Sequence, residues 1–307
     1  MKKLIVLSIM TMLLSSCYED YIEDFDFSSV YFAYQENTRT LIAGEGMQIK
    51  IGATLAGVME NNRNRAVNFE VDETLLEGTG YTLLPAEYYT LSNNQQMVIE
   101  KGWHQGSITL TGNFAQITAD PDMVAGGNPK YAIPLVITSA EVDSVLETKK
   151  TAVIALQYEN TLYGNYWHGG QLEVKDASGA TIGTSTYEMQ VDAPEKEIWK
   201  LETLAGNKVL AKGRIPDPAG DPFSVELELS LEGNSVGISS VDGSDLEIVA
   251  DGGSQFNASK KLEEREISLN YKFQKDGNWW HVKDQLKFRN RVRDGVNEWQ
   301  GFGATIQ

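Results

Sequence analysis

Ile267-Ser268-Leu269-Asn270-Tyr271-Lys272-Phe273-Gln274-Lys275-Asp276-Gly277-Asn278-Trp279-Trp280-His281-Val282 is the stretch whose reading decides the fold. Apolar residues stand at 267, 269, 271 and 273, with polar residues between them, the period of a half-buried strand. Asp-Gly between two such runs favours a two-residue type I′ turn, because both central positions need a positive φ. The turn then fixes the register. Lys275 faces Asn278, Gln274 faces Trp279, Phe273 faces Trp280 and Tyr271 faces Val282. Neighbouring strand residues point to opposite faces, so the two tryptophans part company. Trp280 joins Tyr271, Phe273 and Val282 on the apolar face. Trp279 falls on the polar face with Gln274, Lys272 and His281.

The same period runs through the chain. Val30, Phe32 and Tyr34, then Met47, Ile49, Ile51, Ala53 and Leu55, then Val67, Phe69 and Val71 alternate with mostly polar or differently facing partners. Ser107 to Thr111, Ile133 to Ile137 and Ala152 to Leu156 read as further strands. Tyr187, Met189 and Val191 alternate, as do Val225, Leu227, Leu229 and Leu231. Helical periodicity is nearly absent, and residues 120–129, with Gly126-Gly127, read as a loop. Residues 194–204 fit a short helix or a strand. Short strands with turn residues between them predict an all-β protein.

Composition bounds the function. The 307 residues carry 43 acidic and 26 basic side chains, a formal net charge of -17. That balance repels phosphate backbones and argues against a nucleic-acid partner. The apolar fraction of 41% is enough for globular cores. With one cysteine, Cys17, no disulfide can form within the chain. The three histidines show no metal-ligand spacing, and no nucleophile elbow or phosphate loop occurs. Glu263, Glu264 and Glu266 cluster on one segment, whereas a glycosidase needs two carboxylates facing each other across a bond at about 5 to 9 Å. The chain therefore reads as a non-enzyme without cofactor or metal.

The N-terminus reads as an export signal. Lys2 and Lys3 precede the apolar run Leu4 to Leu14, which is shorter than the roughly 20 residues that span a bilayer. Leu14-Ser15-Ser16-Cys17 resembles the bacterial lipobox. The resemblance implies a signal peptide over 1–16, cleavage before Cys17 and lipidation of Cys17. One acyl chain anchors only marginally, at about 0.8 kcal/mol per buried methylene, so several chains make a lasting anchor. The acidic tether 17–24 resembles the signal that sends Bacteroidota lipoproteins to the outer face of the cell. The expected location is the outer membrane, lipid-anchored and facing outward, with the membrane met through the lipid alone.

Wider stretches carry a family resemblance. Val30-Tyr31-Phe32, Tyr88-Tyr89-Thr90-Leu91, Val98-Ile99-Glu100-Lys101-Gly102 and Tyr131-Ala132-Ile133-Pro134-Leu135 resemble the N-terminal domain of a family of Bacteroidota outer-membrane lipoproteins. Leu162 to Trp299 resembles the companion C-terminal domain. The resemblance implies an immunoglobulin-like β-sandwich over 25–158 and a β-rich domain over 162–307, either an antiparallel β-sandwich or a lipocalin-like barrel. Gly164-Asn165-Tyr166 faintly resembles the lipocalin Gly-X-Trp motif, with tyrosine at the tryptophan position. It further implies polysaccharide or oligosaccharide as ligand and an outer-membrane uptake complex as partner. Relatives sometimes carry a glycoside-hydrolase domain.

The candidate glycan-binding residues are Trp279, His281, Gln274 and Lys272. A tryptophan face can stack on a pyranose ring while the polar neighbours bond its hydroxyls. The alternative is that Trp279 packs on another part of the protein. Lys287, Arg289, Arg291 and Arg293 are expected to share one strand face, opposite Leu286, Phe288 and Val292, and to pair with carboxylates. Trp103-His104 and Trp167-His168 read as core aromatic plus surface histidine. A structural or adhesive surface protein, a fimbrial-type subunit or scaffold, is the competing function, and a glycoside hydrolase is the third.

Overall fold

The computed structural model describes residues 27–124 and 127–300. The signal peptide, Cys17, the acidic tether and residues 301–307 lie outside the described residues. The described chain is all-β, with short helices at Phe114–Ala119 and Pro121–Val124. The second of these lies in the stretch that reads as a loop. Pro121 opens it, where a missing N–H costs nothing, and Asp122 N donates to Asp120 Oδ1 at 2.8 Å.

Contacts divide the chain into two compact units. The first takes the described residues up to Asn37, with Ile49–Thr111 and Tyr131–Ala155. The second takes Thr38–Gln48, Gly112–Lys130 and the chain from Leu156 onward. Residues 38–48 and 112–130 thus count with the second unit, although they precede 158 in the chain.

The chain from Ser29 to Glu159 forms two sheets. One runs in the order Ser144–Val145, Ser29–Phe32, Gln48–Ala56, Gln105–Gly112, Tyr89–Leu91. The other runs Glu36–Ile42, Thr151–Glu159, Tyr131–Ala140, Arg65–Val71, Gln96–Ile99, with Thr82–Leu83 beside Tyr131–Ala140. The alternating residues are the core: Val30, Phe32, Ile49, Ile51, Leu55, Val67 and Phe69 are all buried. This is the expected two-sheet sandwich.

The second unit closes on itself. Strand Gly164–Lys175 pairs along one edge with Asn278–Arg293 over most of its length. Its other edge meets Trp199–Ala205 at Gly164 to Tyr166 and Thr181–Tyr187 from Gly170 onward. From Trp199–Ala205 the ring continues through Lys208–Asp217, Gly220–Glu232, Ser235–Ser240, Ile248–Ala250 and Glu266–Lys275 back to Asn278–Arg293. All these pairings are antiparallel, so the second unit is the barrel of the two alternatives. The undecided stretch 194–204 is a 3-10 turn at Glu195–Glu197 leading into strand. Trp199 is fully buried and lies across the backbone of Gly213, where an added Cβ would stand 2.1 Å from the indole. Only glycine permits that approach.

One end of the barrel is closed by charge. Glu45, which is buried, takes both guanidinium nitrogens of Arg291 at 2.7 Å. Arg265 stands 3.0 Å away and Arg293 3.6 Å. This corrects the expected basic ladder. Asn165 pairs with Asn290 and Tyr166 with Phe288, so Arg289 sits in a bulge. A one-residue bulge reverses the alternation beyond it. Arg291 is therefore buried and Val292 half-exposed, while Lys287 and Arg289 remain on the outer face.

Candidate functional site

The hairpin has the register that its turn chemistry predicts. Asp276 and Gly277 have φ of 52° and 78°, and Gln274 faces Trp279 while Phe273 faces Trp280. Trp280 is 5% exposed and packs on Phe273. Trp279 is half-buried on the outer face, as are Lys272 and His281, and Gln274 is exposed. The four candidate residues thus occupy one face of one hairpin.

Further groups join them there. Lys272 Nζ lies 5.4 Å from the centroid of the Trp279 ring and 3.1 Å from Asp251 Oδ1. His281 Nδ1 lies 2.6 Å from Asp251 Oδ2. Burial alone would raise the Asp251 carboxyl, but the hydrogen bonds from His281 and Lys272 outweigh it and hold the group below its ordinary value. The Lys272 cation lies over the ring's π face, and Asp251 pairs with that cation. Asp251 escapes sequence reasoning because it comes from a neighbouring segment, beside strand Ile248–Ala250.

The face continues along the strands. Glu173 faces His281, and Gln171 faces Lys283, which faces Asn270. Beyond them lies a groove of about 470 Å³, whose polar lining includes Gln171, Thr186, Glu188, Asn270, Lys283 and Gln285. From Trp279 to Gln285 the strand advances about 20 Å at roughly 3.4 Å per residue. Amides, hydroxyls and charges of both signs cover this length, a surface that donates and accepts hydrogen bonds throughout.

A second polar group stands inside the barrel. Asp284 is buried and takes hydrogen bonds from the Tyr271 hydroxyl at 2.8 Å and from the Tyr187 hydroxyl. His168 Nε2 lies 2.9 Å from Asp284 Oδ1, out of line for a hydrogen bond. The His168 ring lies against Trp199 and Tyr187, at 5.0 and 4.9 Å between centroids. Burial and then the Asp284 charge push both phenols up, so they remain donors. Gly170 makes room, since a Cβ there would meet Asp284 Oδ1 at 2.8 Å. The arrangement serves to hold a carboxylate in the core.

Both Trp-His pairs depart from the expected pattern. Trp167 and His168 are both shielded, whereas Trp103 is 66% exposed and His104 is half-buried. His104 Nε2 is instead held 3.3 Å from the Val58 carbonyl. Among the described residues, no group of three or more His, Cys, Asp or Glu side chains is placed to hold a metal ion.

Comparison with known proteins places the chain. A family model for an N-terminal domain matches residues 25–144. A structural-genomics protein of unknown function from Bacteroides ovatus is 23% identical, with a TM-score of 0.67 over 90% of this chain and 98% of that one. At that identity the likeness concerns the fold. A second B. ovatus protein of unknown function gives 13% identity and a TM-score of 0.41, over 89% of this chain and all of that one. A B. ovatus multidomain protein including DUF1735 gives 12% and 0.41, over the same shares. No curated protein matches. The chain is a two-unit, β-rich protein similar in fold to Bacteroides proteins.

Proposed function

We propose that this protein is a non-catalytic glycan-binding lipoprotein. It sits on the outer face of the outer membrane, anchored through Cys17, and captures polysaccharide for an uptake complex. The observation that carries the glycan reading is the outer face of the barrel. Trp279 stands on it with Lys272, His281 and Gln274, and the polar face runs on into a 470 Å³ groove. A flat aromatic ring at the head of a long hydrogen-bonding surface suits a chain of pyranose rings, which are apolar on their faces and polar at their rims.

The test is native affinity electrophoresis of residues 18–307 through gels holding plant, fungal or host polysaccharides, with Trp279→Ala in the neighbouring lane. Retardation by one polysaccharide, lost in the variant, is the expected result. Retardation that survives the substitution places the site elsewhere. No retardation on a broad panel overturns the reading, and the oligomeric state then tests the structural or adhesive alternative.

A further inference from the structure

The barrel has two ends, and they differ. Glu45 and its arginines occupy the end near Gly164 and Arg291. At the other end three chain reversals come together: 175–181, 217–220 and 275–278. Between them lies a cavity of about 390 Å³. Mouths of β-barrels are preferred places for ligands, and sites of roughly 300–1,000 Å³ are usual. This one is at the small end of that range, fit for one or two sugar rings.

Its lining has two characters. Trp280, Val174 and Pro218 supply apolar surface. Trp280 is stacked on Phe273 at 5.8 Å and meets Phe223 edge-on at 5.4 Å, so its ring is fixed. It is 5% exposed, yet its Nε1–H has no hydrogen-bond partner among the described residues. A buried donor without a partner carries a cost of about 1–3 kcal/mol. The rim is polar: Asp217, Asp276, Lys275, Asn278 and Thr184. Lys275 Nζ lies 2.9 Å from Asp276 and 3.6 Å from Asp217, and 5.1 Å from the Trp280 centroid. One cation against two carboxylates leaves the rim net negative, so an anionic ligand is disfavoured. Side by side, the rim offers acceptors (the carboxylates), donors (ammonium and amide) and a hydroxyl. Sugar hydroxyls, which both donate and accept, match such a set.

We propose that this mouth cavity binds the neutral terminal sugar of a glycan chain, at a site separate from the outer face that carries Trp279. Val174, Pro218 and the edge of Trp280 supply apolar contact, and Asp217, Lys275 and Asn278 bond the hydroxyls. The proposal rests on the glycan reading above and extends it from chain recognition to end recognition.

The experiment is titration calorimetry of residues 18–307 with the methyl glycosides of glucose, mannose, galactose and N-acetylglucosamine, and with methyl glucuronide as the anionic control. Ala219→Trp fills the cavity from an exposed turn. Trp280→Phe trims the indole to a phenyl ring and removes the N–H, and Asn278→Ala trims the rim. The expected result is binding of at least one neutral glycoside, weakened about tenfold or more by Ala219→Trp and by Trp280→Phe. Binding that Ala219→Trp and Asn278→Ala both leave intact overturns the proposal, as does tighter binding of the glucuronide. The same proteins are run through the polysaccharide gels. Retardation without any glycoside binding overturns the mouth site and leaves the outer face standing. Glycoside binding without retardation does the reverse. Neither effect overturns both.

Discussion

Asp284 carries a large share of stability for a single residue. It is a carboxylate at a core position, held by two phenols and a histidine. Asp284→Ala leaves the Tyr187 and Tyr271 hydroxyls without an acceptor, so it should cost about 2–4 kcal/mol. Asp284→Asn retains one acceptor and should cost less; urea denaturation separates the two. Glu159 behaves differently. Burial raises its carboxyl pKa, and the hydrogen bonds from Thr203 and Gln157 with the Arg291 charge only partly offset this. The folded state therefore holds the proton more tightly than the unfolded chain. That stability is fully present below the ordinary glutamate value and is lost as pH rises through the folded one. Glu159→Gln should abolish the loss, so the Tm difference between variant and native protein should grow in the variant's favour with rising pH. Asp284 was legible in principle, since it stands in the apolar series Trp280, Val282, Leu286 and Phe288. Its partners were not, because nothing local ties position 284 to 168 or 187.

At the scale of elements, the hairpin shows how far local chemistry reaches. Its turn and its alternation specify each pair from Tyr271–Val282 to Lys275–Asn278, and the strands adopt that register. The basic ladder shows where local reading stops. Lys287 to Arg293 alternates without a break in sequence, but the bulge at Arg289 turns Arg291 inward. A bulge depends on how the partner strand fits, which the bulged strand does not record. Gly213 makes the same point for packing. Gly213→Ala forces a methyl into the buried Trp199 indole, so it should cost about 1–3 kcal/mol as overpacking. Thermal unfolding measures the loss, and a red shift of tryptophan emission reports the displaced ring.

For the molecule as a whole, the charge arrangement around Glu45 is the main long-range device of the second unit. Glu45 and Arg291 are 246 positions apart in the chain and share two 2.7 Å bonds. Removing one partner of a buried pair leaves the other charge stranded, so Glu45→Ala should cost about 3–5 kcal/mol. Because the pair is buried, salt should barely change that cost. Denaturant midpoints of native and variant protein at low and high salt check both statements. A loss that vanishes in high salt would show the cluster to be solvated.

The sequence by itself determined that this chain is all-β, which residues face the core along strands without a bulge, and how the Asp276-Gly277 hairpin pairs. These follow from period-two alternation and turn geometry, which act over a few residues. Tertiary structure decided that the second sheet closes into a ring, with Gly164–Lys175 against Asn278–Arg293. It also decided that Glu45 meets Arg291, and that a cavity forms where three chain reversals converge. Alternation tells a strand which face to bury but not which neighbour to join. The choice of neighbour is made by packing and hydrogen bonding across more than a hundred residues of chain.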